Sequence, residues 1–308
     1  MDDGVSPRAQ SRHMEPVNVA DLLPRRERCL DMSRVGAWLS GRRVAITGCG
    51  YIGSELARQV ATFNPRGLTL IDSSEQALWN IKRAVPLGVP CYGDVRNARR
   101  MRALLMHTDI VFHAAALKHV PICEESPEDA YETNARGTRH VVDAAEKAQI
   151  VLVSTDKACR PSSVMGQTKL LAEKIVRESG RGSVVRFGNV IGSSGSVVPL
   201  WQEQIAGDGV LTVTDARMTR YMMTVGEAAE LILQAGAMGA TSPGNTYVLD
   251  MGEPVSIDAL CDDFIRLSGC RDIRKVYSGI RPGEKLHEIL SDQPLIETTV
   301  DGVMRVCE

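Results

Sequence analysis

The chain has 308 residues, 44% hydrophobic and 24% charged, with 36 basic and 38 acidic side chains and a net charge of −2. That length suggests about two domains and is ample for a core without disulfides or metals. The near-neutral balance excludes a global cationic field for nucleic acid or anionic lipid, and 4% aromatics argues against a base-stacking platform.

Eight cysteines (29, 49, 91, 123, 159, 261, 270 and 307) show no CxxC pair and no short ligand spacing. They read as reduced packing residues of a cytoplasmic protein, with no metal site expected. No secretory signal opens the chain, and no apolar run reaches the roughly 18 residues that span a bilayer.

Residues 1–16 are polar and patternless and predict a disordered tail. A lead-in over 17–40 places Leu22, Leu23, Leu30 and Val35 between charges, as a short helix would, and closes at Ser40-Gly41. Strands follow at Arg43–Thr47, Leu68–Asp72, Val89–Tyr92, Ile110–His113, Ile150–Ser154 and Ser183–Phe187. Between them, helical patterns occupy Gly53–Thr62, Glu75–Val85, 97–106, 126–148 and 163–178. This alternation predicts an α/β, Rossmann-type, doubly wound parallel sheet. The NAD-binding domain is expected over 17–187, with 188–308 forming mainly a smaller substrate lobe. In that second part Gly188–Pro199 reads as a glycine- and serine-rich loop. Helices are predicted at Val225–Met238, Ser256–Leu267 and Glu284–Leu290, and a strand at Thr246–Leu249.

Gly48-Cys49-Gly50-Tyr51-Ile52-Gly53 is a G-x-G-x-x-G turn between a strand and a helix. Gly48 suits the tight turn, Gly50 lets backbone approach a pyrophosphate, and Gly53 packs helix on strand. The helix N-terminus offers free N–H groups to phosphate. Asp72 ends the second strand, 19 residues after Gly53, where it can accept from both adenosine ribose hydroxyls and repel a 2′-phosphate. Ser73 follows with no arginine, which favours NAD over NADP. Asp94 and Val95 end the third strand near the expected adenine. Ala114, Ala115 and Ala116 end the fourth with side chains small enough for a cofactor to lie close.

Two segments at strand ends carry reactive groups: Thr155-Asp156-Lys157, and Met165-x-x-x-Lys169 at a helix start. A spacing of four puts Met165 and Lys169 on one helix face. In short-chain dehydrogenases that pair is Tyr and Lys, whereas Met165 transfers no proton. Taken alone, Asp156-Lys157 also reads as a strand-end ion pair and Met165 as helix packing.

At this point the sequence resembles the extended short-chain dehydrogenase/reductases, and within them the capsular-polysaccharide family of UDP-N-acetylglucosamine 4,6-dehydratases. The resemblance runs through VFHAAALKHVPICEESPEDAYETNARGT (111–138), VSTDKACRPSSVMGQTK (153–169), VRFGNVIGSSGSVVPLWQEQI (185–205), MTRYMMTVGEAAELILQAG (218–236), YVLDMGEPVSI (247–257) and GIRPGEKLHEIL (279–290). Two departures stand out: the glycine loop is one residue shorter than the family's T-G-x-x-G-x-I-G, and Met165 replaces the Tyr that some members carry.

The resemblance implies oxidation of the sugar at C4, elimination of water across C5–C6 and return of hydride to C6. It makes Lys157 the base at C5, for which its amine must be neutral near pH 7. Asp156 becomes the acid at the C6 oxygen and Thr155 a partner of the 4-hydroxyl, while Lys169 holds the cofactor ribose. For the UDP-sugar, Lys118 and His119 are candidates at the sugar, Asn189 at the diphosphate or sugar, and Arg220, Arg281 and Lys285 as phosphate cations. Val197 and Val198 would wall the uracil, and Glu284 either holds a ribose hydroxyl or pairs with Lys285. The implied partners are a UDP-sugar and further copies of the chain (a dimer or larger), with no nucleic acid and no membrane. A UDP-sugar 4-epimerase and a non-catalytic NAD-binding sensor are the competing functions.

Overall fold

The computed structural model describes residues 14–23, 25 and 31–307. Most of the expected tail, and Cys29 and Leu30 of the lead-in, lie outside the described residues. Met14 and Glu15 do not behave as tail: Met14 packs on an apolar cluster and the Glu15 N–H donates to the Ser268 carbonyl at 3.0 Å. The lead-in is a 3-10 turn at Val19–Leu22 and a short helix at Ser33–Leu39.

Six parallel strands follow: β1 (Arg43–Thr47), β2 (Gly67–Asp72), β3 (Val89–Tyr92), β4 (Ile110–His113), β5 (Gln149–Val153) and β6 (Gly182–Arg186). They lie in the order β3-β2-β1-β4-β5-β6, the doubly wound arrangement, with strand 246–249 parallel beyond β6 and the antiparallel pair 303–306 and 295–297 beyond that. All of β4 and β6 is buried, as is β1 except Arg43, which fits near-continuous apolar runs covered by helices on both faces. The helices start where the sequence supplies a cap: Ser74, Asn97, Ser163, Thr224 and Ser256 each accept a first-turn N–H on the side-chain oxygen.

The sheet does not stop at Phe187 as the expected domain boundary implies. Helix Val225–Gly239, strand Thr246–Leu249 and strand Val303–Val306 belong to the nucleotide-binding layer, whose core takes in Leu231, Leu249 and Val303. The reason is the edge of β6, whose open backbone groups the returning chain satisfies. A smaller unit remains around Trp201, Leu211, Leu260 and Phe264, where Trp201 and Phe264 have ring centroids 5.6 Å apart and Trp201 Nε1 donates to Thr212.

Three expectations on local structure are corrected. The stretch 126–148 is helical from Pro127 to Ala144, with a π turn at Glu132–Arg136, and stops short of the expected end. Within the π turn Asn134 bonds both backbone groups of Leu117 and Thr168 Oγ1 through its side-chain amide. Gly188–Pro199 is loop only to Ser196, because helix Val197–Ala206 begins inside it. Glu284–Leu290 is irregular. Arg220 takes the carbonyls of Lys285 and Leu286, and the Thr219 N–H also takes that of Leu286, so a helix there loses its acceptors.

Among the described residues no helix is long and apolar enough to cross a membrane. Trp201 has no exposed surface, so Trp201→Ala should cost about 3–5 kcal/mol in denaturant unfolding through the cavity it leaves.

Candidate active site

Register places the site. Thr47 of β1 pairs with Ile71 of β2 and His113 of β4, and His113 pairs with Leu152 of β5, so four strands share one row, where β1 and β4 end and β2 and β5 run one residue further. The chain then leaves this row through Gly48, Ala114 and Ser154, and a cleft of about 840 Å³ opens above it. Strand order reverses between β1 and β4, the switch point at which such sheets take ligands.

At the glycine turn, Gly48 has φ +85°, and a Cβ there would meet the backbone of Ala114 and Ala115 at 2.5–2.7 Å. A side chain on Gly53 would strike the Gly48 carbonyl. Gly50 has open space where a Cβ would stand, at the N-cap of helix Tyr51–Ala61, a cradle suited to a pyrophosphate. Asp72 holds the turn, accepting from the Cys49 N–H at 2.6 Å and the Ser74 N–H at 2.7 Å, while facing the cleft. Burial, with Asp72 beside it, pushes the Cys49 thiol up to about 12, so it packs rather than reacts. Ser73, Asp94 and Val95 line the same end. Arg96 lines it too, but its guanidinium is bidentate on Asp94, whose carboxyl it holds below the usual range.

Behind the cleft floor, His113 is buried between two threonines. Thr138 Oγ1 donates to the Asn134 carbonyl at 2.6 Å, so it accepts from His113 Nε2–H at 2.9 Å, and Nδ1 accepts from Thr47 Oγ1 at 2.6 Å. Burial, then the charge of Lys169, drives this imidazole down to about 3. It stays neutral and fixes the ends of β1 and β4.

Helix Val164–Glu178 is clamped by its own Glu173, fully buried, which accepts from Arg186 on both oxygens and from Ser154 Oγ. That clamp turns Met165 and Lys169 into the cleft. Lys169 Nζ donates to the Val153 carbonyl at 2.7 Å, and burial, partly offset by Glu173, lowers its amine to about 8. Met165 is 4% exposed and sits in a small cluster with Val120, Cys123 and Ala130, so it is both packing and wall.

Thr155 and Lys157 face the cleft from the turn after β5. Asp156 has no exposed surface and stands behind them, its Oδ1 accepting from Thr155 Oγ1 and Lys157 Nζ, both at 2.9 Å. Direct contact between Asp156 and a substrate, expected from the sequence, is therefore absent from this geometry. Its Oδ2 has no hydrogen-bond partner. Lys157 Nζ also donates to Asn189 Oδ1 at 3.3 Å.

Loop 188–196 crosses to the β4 side. Lys118 Nζ donates to the Ser194 carbonyl at 2.9 Å, Gly195 lies against the His119 ring, and the Tyr51 hydroxyl donates to the Ile191 carbonyl at 3.2 Å. Burial lowers Lys118, and burial together with Lys118 lowers His119. Ile52 and Ala114–Ala116 complete the wall.

The remaining substrate candidates do not reach the cleft. Val198 is 1% exposed inside the smaller core, and Val197 packs on that core. The guanidinium of Arg220 is spent on carbonyls, and Lys285 Nζ donates to the carbonyls of Cys159 and Arg160. Arg281 and Glu284 meet each other, the Arg281 N–H donating to Glu284 Oε2 at 3.3 Å, so Glu284 does not hold Lys285. Ser154, the first residue of the reactive segment Ser154–Lys157, lines the cleft, as do Phe187, Gly188, Ser193 and Ser196, which were not singled out in the sequence. Only the loop's glycine and serine content pointed to any of them.

The strand order, the glycine turn and the strand-end Thr155–Lys157 and helix-start Met165–Lys169 segments are those of a short-chain dehydrogenase/reductase fold. The chain belongs to the family described as polysaccharide biosynthesis protein, which matches residues 44–307. It is 40% identical to the capsular polysaccharide biosynthesis protein CapD of Staphylococcus aureus over 94% of this chain and 52% of that one, so it spans about half that relative's length. A UDP-N-acetylglucosamine 4,6-dehydratase (inverting) of Campylobacter jejuni is 31% identical over 81% of this chain and 77% of its own. A UDP-glucose 4-epimerase of Rickettsia felis is 38% identical over 64% of this chain and 60% of its own. The X-ray structure of Pen from Bacillus thuringiensis superposes with a TM-score of 0.81 at 31% identity, covering 87% of this chain and 90% of that one.

With its amine lowered to about 8, Lys169 loses charge as pH rises through that value. Calorimetric affinity for NAD+ should therefore fall above about pH 8 in the native chain, and Lys169→Met should bind weakly with that fall removed.

Proposed function

We propose that the chain is an NAD-dependent nucleotide-sugar 4,6-dehydratase, a hydro-lyase acting on UDP-N-acetylglucosamine or a close UDP-N-acetylhexosamine. One observation carries this reading. Thr155 and Lys157, bonded to Asp156, face the same cleft as Met165, which supports a candidate acid and base for elimination at a site without the proton-transferring Tyr. The likeness to the Campylobacter jejuni dehydratase supports the choice of substrate.

NAD, when bound, supplies a reversible hydride acceptor. The glycine turn and the helix N-terminus at Tyr51 suit its pyrophosphate, Asp72 its adenosine ribose and Lys169 its nicotinamide ribose. Thr155 orients the 4-hydroxyl, and its Oγ1, 2.9 Å from Asp156 Oδ1, gives that proton a route to the carboxylate. The ketone formed at C4 makes the C5 proton acidic, and Lys157 removes it. The departing C6 hydroxyl is protonated from Asp156 along Thr155, whose Oγ1 joins the buried carboxyl to the cleft. Asn189, Lys118 and His119 stand where the sugar and its diphosphate would lie. The smaller unit around Trp201 would take the uridine end.

The likeness to a 4-epimerase keeps a second reading in play, in which hydride returns to C4 rather than C6. Met165 disfavours it, since it offers no proton where an epimerase needs one. A sensor without catalysis would have no use for the Thr155–Lys157 arrangement.

Incubation with NAD+ and UDP-N-acetylglucosamine should give a product lighter by one water in mass spectrometry. A product of unchanged mass but altered C4 configuration would favour the epimerase. No conversion of any UDP-N-acetylhexosamine at full NAD+ occupancy would overturn the dehydratase reading. Lys157→Ala should lower turnover by at least about a hundredfold while NAD+ still binds.

A further inference from the structure

The segment 281–285, expected from the sequence at a substrate phosphate or ribose, is bonded instead to the loop that carries Lys157. Lys285 Nζ donates to the carbonyls of Cys159 and Arg160 at 3.2 and 2.7 Å. Those carbonyls follow the 3-10 turn Asp156–Ala158 directly, and a helix end leaves its carbonyls to outside donors. Ser162 Oγ donates to the Gly283 carbonyl at 3.2 Å, and a Cβ on Gly283 would meet Ser163 and Val120 at 3.1 and 3.2 Å. Arg220 fastens the segment in turn, donating to the carbonyls of Lys285 and Leu286 at 2.9 and 3.0 Å. No residue of 281–285 lines the cleft.

The loop held in this way is conformationally demanding. Arg160 has φ +46°, in the left-handed region that side-chain-bearing residues rarely adopt, and Pro161 follows it. Such a setting persists only where the surroundings fix it. Helix Val164–Glu178 supplies one constraint: a Cβ on Gly166 would strike the Lys157 carbonyl and stand 3.1 Å from Pro161. Lys285 supplies the other, with two bonds from an ammonium, which are stronger than bonds between neutral groups. The reactive turn is therefore gripped by Gly166 and Lys285 together.

We propose that Lys285 is a positioning residue for Lys157. By holding the carbonyls of Cys159 and Arg160 it fixes the turn that sends Asp156 inward and Lys157 to the cleft. It acts through the backbone and touches no substrate. The inference rests on the dehydratase reading for the step it serves, removal of the C5 proton by Lys157. A base displaced by about 1 Å loses rate although the substrate still binds.

The test has a readout that needs no substrate: hydrogen exchange, by mass spectrometry, at the amides of Ala158 and Cys159, which donate to the carbonyls of Thr155 and Asp156. In Lys285→Met this exchange should quicken about tenfold while that of helix Tyr51–Ala61 is unmoved, and Lys285→Arg should restore most of the protection. Lys285→Gln serves if the Met variant does not fold. In turnover, kcat of Lys285→Met should fall about tenfold, with KM and calorimetric UDP affinity little changed. Unmoved exchange in a folded variant overturns the proposal, and so does faster exchange with kcat undiminished. Weakened UDP binding with unmoved exchange would also overturn it, returning Lys285 to the phosphate role expected from the sequence. Faster exchange in a protein that dehydrates no UDP-sugar even in its native form would uphold the brace and overturn the dehydratase reading instead.

Discussion

The interaction on which the rest depends is the side-by-side pairing of β1, β4 and β5, whose central residues are buried and whose ends lie within one residue of a common row. Strands with no exposed face carry almost nothing but apolar side chains. The chain therefore meets water and ligand only where it leaves the sheet, and the glycine turn, the alanine run and the Thr155–Lys157 turn all lie at that edge. His113 and its two threonines secure the edge from below, and neutral imidazole suits the task because a charge there would be uncompensated.

A second clamp converts this edge into a site. Glu173, Arg186 and Ser154 form a buried polar network between helix Val164–Glu178, β6 and the end of β5. Removing one partner of such a group would leave a buried charge unpaired. While it is intact, the helix has one rotational setting, with Met165 and Lys169 toward the cleft. The Lys118 and Tyr51 contacts to loop 188–196 then close the site from the far side.

Much of the site was legible because its signals are local. Gly48 needs a positive φ, Gly53 admits no Cβ, and Asp72 ends a strand, all properties of short segments. The residues misplaced from the sequence are those whose partners are remote. Arg220 looked like a phosphate ligand, yet carbonyls 65 and 66 residues away occupy it. Val198 looked like a uracil wall, yet a helix beginning at Val197 turns it into the smaller core. Asp156 and Lys157 are adjacent, and only the tight 3-10 turn that Thr155 caps sends one inward and the other to the cleft.

Apolar runs, helix caps and the glycine turn, each acting over a few residues, were enough to determine the parallel sheet and the glycine-turn edge, whereas roles for Thr155, Asp156 and Lys157 came from the family resemblance. Only the tertiary structure decided where the chain returns after Phe187, that the 285–288 segment is irregular, and that Asp156 is buried behind Lys157. Those outcomes depend on which distant backbone groups remain open for pairing and which charges are brought together out of water, and neither is written in local sequence.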